Sequence, residues 1–307
     1  MSSAPIALFT FKRPEHTRRA LESLANNPEF QTSPLFIYCD GARNAAEAGA
    51  VADTRTIVRN WPHPNKTLIE RDQNWGLAKS VIEGVTQLCN EYGRVIVVED
   101  DLVVSPGFLN YLTTALDCYA DEPKVMQVSG YMFPIAGALS GEKAALLPIT
   151  STWGWATWDR AWKHFGVSER DISVLLSNPS RRRAFNLDGA YPYTRRLKQQ
   201  VKGKSDSWGI QWYLSVFNAS GLVLYPPITL VQNIGHDGSG THCKIENEDE
   251  EHNVFKGFDF DSLIFPLEIS IDIGTYSMVK KYLHEKYGFI PRGRAWLRTE
   301  LNKFFKN

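Results

Sequence analysis

The chain has 307 residues, 43% hydrophobic and 22% charged, with 34 Lys+Arg balanced by 34 Asp+Glu. That length holds one large α/β domain, or a core domain with a smaller lobe, and buries a substantial core without covalent staples. The zero formal net charge argues against a nucleic-acid partner, which usually demands a basic excess.

Strand and helix signals alternate along the first third. Ile6 to Phe11 reads as a buried strand, and Pro14 opens a helix to Leu24, where proline is tolerated at the first position. Leu35 to Cys39 is a second buried strand ending in Asp40-Gly41, followed by an Ala-rich helical segment over about 45–60. Thr67 to Glu70 is a short third strand, and Gly76 to Tyr92 has helical spacing through Leu77, Val81, Val85 and Leu88. Arg94 to Val98 is the strongest strand signal; it stops at Glu99-Asp100-Asp101, and Pro106 opens a helix to about Ala120. Val125 to Val128 closes the pattern. Buried strands alternating with amphipathic helices predict a mostly parallel sheet flanked by helices.

The second half differs. Trp153, Trp155, Trp158 and Trp162 fall within ten residues, followed by a polar, Arg-rich helical region with Arg181-Arg182-Arg183 and Arg195-Arg196. Asp206-Ser207-Trp208 and Trp212 come next, then a strand-like Leu222 to Tyr225 and a Gly-rich loop from Gly235 to Cys243. The stretch from Lys280 to Asn307 carries eight Lys/Arg against two Glu, a net +6, interleaved with aromatic residues. Such a segment suits an anionic membrane surface, or a terminal helix docked on its own domain. Cys39, Cys89, Cys118 and Cys243 have no metal-ligand spacing and read as reduced thiols. The N-terminal apolar stretch is too short for a signal peptide, and no later run reaches about 18 apolar residues, so a cytoplasmic protein is expected, with peripheral membrane contact through 280–307 left open.

Ligands of open α/β sheets bind beyond the carboxyl ends of the strands. Arg13, Asp40, Asp72 and Glu99-Asp100-Asp101 all fall just beyond predicted strand ends. Three consecutive carboxylates repel one another, and a hard divalent cation, Mg²⁺ or Mn²⁺, relieves that repulsion; a solvated acidic turn ahead of a helix is the plainer reading. There is no GxGxxG after the first strand and no GxxxxGK[ST] anywhere, which disfavours dinucleotide oxidoreductases and P-loop NTPases.

Val95-Ile-Val-Val-Glu-Asp-Asp-Leu-Val-Val-Ser-Pro-Gly-Phe-Leu-Asn-Tyr111 resembles the donor-site segment of GT-A-fold glycosyltransferases, with N-acetylglucosaminyltransferase I and related bacterial family 2-like sugar transferases as the nearest likeness. The resemblance extends weakly over about residues 5–245. It implies a GT-A-like domain over 1–250, with a nucleotide-sugar half to about 130 and an acceptor half after it, and a basic C-terminal extension over 251–307. By position it implies Asp101 as metal ligand of a DxD-type motif, Asp100 on the ribose, Glu99 on the donor sugar, Arg13 near the diphosphate, and Asp40 and Asp72 at the nucleoside. Trp155 is placed at the floor between donor and acceptor, against the alternative of an aromatic core cluster. Asp206 aligns with the catalytic base of an inverting transfer, against the alternative of a helix N-cap. His242, in preference to His236, stands in the loop that closes over the diphosphate and meets the metal. The implied activity is Mn²⁺- or Mg²⁺-dependent transfer from a nucleotide-sugar donor, UDP-linked by expectation, to a glycan or lipid-linked glycan, as in surface-polysaccharide assembly. A nucleotidyltransferase and a non-catalytic sugar-binding protein are the rivals.

Overall fold

The computed structural model describes residues 3–135, 142–237 and 262–287. In chain order the elements are β1 (Ile6–Thr10), α1 (Pro14–Ala25), β2 (Leu35–Cys39), α2 (Ala48–Asn60), β3 (Lys66–Glu70), α3 (Leu77–Tyr92), β4 (Arg94–Glu99), β5 (Leu102–Val104), α4 (Phe108–Cys118), β6 (Val125–Ser129), β7 (Ala145–Leu147), β8 (Trp155–Trp158), α5 (Asp159–Trp162), α6 (Glu169–Ser177), α7 (Pro179–Phe185), α8 (Tyr193–Val201), α9 (Trp208–Asn218), β9 (Leu222–Tyr225), β10 (Val231–Asn233) and α10 (Ile273–Tyr287).

Eight strands form one sheet in the order β3-β2-β1-β4-β8-β6-β9-β7. β3, β2, β1 and β4 pair in parallel, and β6 and β9 run the same way; β8 and β7 are antiparallel to their neighbours. The expected mostly parallel sheet flanked by helices is therefore what the chain forms. The reason is local: β1 and β2 are apolar at nearly every position and are buried throughout, as strands covered on both faces must be.

The helix after β4 starts two residues later than Pro106 suggested, because Gly107 takes a left-handed conformation (φ 88°) and the chain first makes β5. β5 pairs antiparallel with β10, a two-strand ribbon separate from the main sheet, and so ties the segment after the acids to residues 231–233. The tryptophan-rich segment forms β8, inserted between β4 and β6 with Trp155 opposite Val97.

The described part of the basic C-terminal stretch is the end of α10, docked on the domain. Val279 and Leu283 are buried, Lys280 Nζ reaches Asp188 Oδ2 at 2.9 Å, and the Tyr287 ring meets Tyr191 at 5.2 Å. Residues 288–307 lie outside the described residues. Among the described residues no helix is long and apolar enough to cross a membrane.

Candidate active site

A cavity of about 970 Å³ opens beyond the carboxyl ends of β1, β2 and β4. The first half of the chain contributes Phe11, Lys12, Arg13, Asp40, Arg43 and Asn74 with the three acids; the second half contributes Trp153, α8 with the residues just before it, and the turn into α9 at Asp206.

Glu99, Asp100 and Asp101 form one wall. Asp100 and Asp101 are only 3% and 8% exposed, and one guanidinium, Arg13, spans both: Nη2 is 2.5 Å from Asp100 Oδ1 and 3.0 Å from Asp101 Oδ2. Asp100 Oδ2 also accepts the Phe11 N–H at 3.1 Å, fixing the end of β1 to the end of β4. Arg13 Nη1 is buried without a hydrogen-bond partner among the described residues. Burial works against the guanidinium's charge, but Asp100 and Asp101 outweigh it and hold Arg13 above its ordinary range. Burial, then Asp101 and Asp100, pushes the half-buried Glu99 carboxyl up to about 8, with Arg13 pulling the other way. Burial also raises Asp100, against the pull of Arg13.

The loop after β10 leans on this wall. The Ile234 N–H donates to the Asp101 carbonyl at 2.8 Å, and a Cβ on Gly235 would stand 2.6 Å from Asp101 Oδ2 and 2.9 Å from Arg13 Nη1. Only glycine lets the backbone pass so close to a charged pair.

Asp40 closes the other side. Its Oδ1 accepts the N–H groups of Gly41 (3.0 Å) and Trp75 (2.8 Å), and its Oδ2 accepts that of Gly76 (2.9 Å). Both oxygens are thus committed to the backbone, chiefly to the loop between β3 and α3. Gly76 has φ +77°, and a Cβ there would meet Asp206 Oδ2 at 3.3 Å, so this loop abuts the carboxylate of the other half.

No family model matches the chain, and no curated protein matches it in sequence. Among solved structures it is similar to GalNAc-T7 with UDP, GalNAc and Mn²⁺, at 8% identity and a TM-score of 0.45, over 75% of this chain and 44% of that one. The chain thus spans less than half the length of that protein. It is also similar to the mannosyltransferase PcManGT from Pyrobaculum calidifontis in complex with GDP-Man and Mn²⁺, at 10% identity and a TM-score of 0.39, over 70% of this chain and 73% of that one. What those proteins bind is a property of those proteins.

Of the residues singled out in the sequence, Arg13, Asp40, Glu99, Asp100, Asp101 and Asp206 all line the one cavity. Two do not. Asp72 is exposed in the turn after β3, outside the cavity; Asn74 and Gly76, further along the same loop, line it instead. Trp155 is 0% exposed, because the strand pleat sends it into an aromatic cluster with Trp208 (5.2 Å), Trp162 (5.9 Å) and Trp212 (6.4 Å). Trp153 takes the cavity position, ahead of the strand, with its ring 4.8 Å from Tyr131 and 5.7 Å from His236. Gly154 separates the two tryptophans, and it was the one signal in the sequence that the alternation breaks there. His242 lies outside the described residues.

The acid cluster is short of positive charge. Among the described residues three carboxylates face one guanidinium, and burial, with the two neighbouring aspartates, raises the Glu99 carboxyl. Among the described residues no group of three or more His, Cys, Asp or Glu is arranged to hold a metal. The residues fit a hard divalent cation held by one carboxylate, Asp101, and completed by ligand oxygens, as Mg²⁺-type sites are.

Proposed function

We propose that the chain transfers a sugar from a nucleotide-diphosphate donor, UDP-linked in the first instance, to a hydroxyl of a glycan or lipid-linked glycan, with inversion at the anomeric carbon. The observation that carries this reading is the Glu99-Asp100-Asp101 wall at the carboxyl end of β4, bridged by Arg13 inside a cavity of about 970 Å³. That volume takes a nucleotide sugar, and a charge-deficient acid cluster suits a cation-bound diphosphate.

In this reading the nucleoside lies against the loop that Asp40 holds, so Asp40 positions Asn74 and the backbone at Trp75 and Gly76 rather than contacting the base itself. Asp100 is a positioning residue as well, since Phe11 and Arg13 already occupy its oxygens. Arg13 faces the diphosphate. Glu99 hydrogen-bonds a donor-sugar hydroxyl, and Trp153 offers a flat apolar face to sugar C–H groups. The acceptor hydroxyl attacks the anomeric carbon from the side of the second half, its proton passes to Asp206, and the nucleoside diphosphate leaves from the opposite face. A divalent cation bound at Asp101 would supply stabilisation of the charge on the departing diphosphate.

The test is donor hydrolysis and transfer from UDP-sugars with Mn²⁺ and with chelator, alongside thermal shifts with UDP, GDP and dTDP. Asp101→Asn is expected to lower activity on the order of a hundredfold or more. Full activity of that variant would remove the assigned metal position, and no shift with any nucleotide would favour a sugar-binding module.

A further inference from the structure

Among the described residues five basic side chains line the cavity: Lys12, Arg13, Arg43, Arg195 and Arg196. Three are matched by acids. Lys12 and Arg43 both pair with Glu47, at 2.7 Å and 2.6 Å, and Arg13 spans Asp100 and Asp101. Arg195 and Arg196, adjacent on α8, have no carboxylate at ion-pair distance among the described residues. They are not on a loosely held helix. Thr194 and Leu197 on either side of them are buried, Thr194 is bonded through its N–H and Oγ1 to Asn186 Oδ1 at 2.8 Å and 2.9 Å, and Arg196 lies over the Tyr191 ring at 5.2 Å. Gln199, one turn on, lines the same wall. Around them the sequence from Arg181 to Asp206 carries eight Lys/Arg against two Asp, within a chain of zero net charge.

The cavity therefore has two electrostatically different walls. The acid wall, with its own arginine, belongs to the first half; the unmatched basic wall belongs to the second half, where Asp206 also lies. Arginine's planar fork favours phosphate, and two arginines without acid partners gain most from a doubly charged group.

We propose that Arg195, Arg196 and Gln199 form a phosphate subsite for the acceptor, so that the molecule receiving the sugar carries a phosphate or diphosphate close to its reacting glycan unit; this rests on the glycosyl-transfer reading above. The phosphate has two sources, a soluble phosphorylated sugar and a prenyl diphosphate-linked one, and the recognition chemistry is common to both.

The experiment titrates the full chain, saturated with UDP and Mn²⁺ so that the donor position is filled, with glucose 1-phosphate, with glucose, and with farnesyl diphosphate in neutral detergent micelles. Glucose 1-phosphate is expected to bind about tenfold or more tighter than glucose. The double variant Arg195→Gln/Arg196→Gln is expected to abolish that preference and leave UDP affinity unchanged, while Arg195→Lys/Arg196→Lys keeps part of it. Retention of farnesyl diphosphate that is lost in the Gln variant assigns a lipid-linked source; a preference confined to glucose 1-phosphate assigns a soluble one. Equal binding of glucose and glucose 1-phosphate by the wild type overturns the proposal. So does a tenfold loss of UDP affinity in the Gln variant, which would place the arginines on the donor. If the wild type binds no nucleotide at all, the transferase reading fails, and the same titration without nucleotide still reports whether the arginines select phosphate.

Discussion

Asp40 Oδ2 accepts the Gly76 N–H at 2.9 Å, and through that bond an acid at the end of β2 sets the position of a loop that runs beside Asp206. Asp40 accepts from Gly41, Trp75 and Gly76 together, three backbone N–H groups on one carboxylate, so its removal disturbs the loop whatever else it meets. Asp40→Asn replaces one acceptor by a donor and sets it against a backbone N–H. The expected cost is about 1–3 kcal/mol of stability, with a raised donor KM and a smaller effect on kcat. Asp72→Asn is the control: exposed and outside the cavity, it is expected to stay within about 0.5 kcal/mol of the wild type and to leave donor KM alone. Thermal denaturation with donor kinetics on both variants checks the pair; an equal KM effect would return Asp72 to the site.

Gly235 makes a similar point on the acid wall. A methyl group there would meet Asp101 Oδ2 at 2.6 Å and Arg13 Nη1 at 2.9 Å. Gly235→Ala is expected to cost about 1–3 kcal/mol and to separate Arg13 from Asp101. Metal-dependent nucleotide binding should suffer more than stability does. A variant with wild-type Mn²⁺ and UDP titrations would show that the wall tolerates the shift and that the contact is incidental.

Six of the eight sheet strands were legible, β1, β2 and β4 as continuous apolar runs that stop at polar or charged residues, and the acid cluster was legible because it terminates the strongest of them; β7 and β8 were not read as strands. The convergence of the 231–237 segment on Asp101 was not derivable from pattern. It depends on β5 and β10, three residues each, which are too short to show period-2 alternation and pair across more than a hundred residues of chain. Arg195 and Arg196 were visible only as part of a basic helical region, since nothing local reveals which face of α8 looks into a cavity. The tryptophans show the limit of composition: four within ten residues left a sugar-facing floor and an aromatic core cluster both open, and it is the start of β8 at Trp155 that separates the buried Trp155 and Trp158 from Trp153.

That division is measurable. Trp155→Ala removes a fully buried indole from a cluster of four tryptophans and is expected to cost about 3–5 kcal/mol, whatever its effect on activity. Trp153→Ala should cost much less, and its main effect should be a raised KM for donor or acceptor. Urea denaturation and steady-state kinetics on the two variants separate the roles. A stable Trp155→Ala protein with impaired sugar binding would put Trp155 back at the site.

The acid wall also sets a pH dependence in the metal-free protein. Burial and the two neighbouring aspartates push the Glu99 carboxyl up to about 8 in the folded chain, against an ordinary value of 4.5. Between those values the native state holds a proton that the unfolded chain has released. Stability therefore falls as pH rises through that window and levels off above about 8. Glu99→Gln removes this contribution. In chelator, wild type and variant are expected to unfold alike near pH 5, and the variant to be more stable on the order of 2 kcal/mol near pH 8, solvent screening included. Thermal denaturation across that range reads the difference. Adding Mn²⁺ with UDP should reverse the order at high pH, since a cation favours the ionised carboxylate that only the wild type can supply. Parallel curves for the two proteins in chelator would mean that Glu99 stays ionised in the native state, and that Arg13 compensates the wall more fully than the burial of these three acids implies.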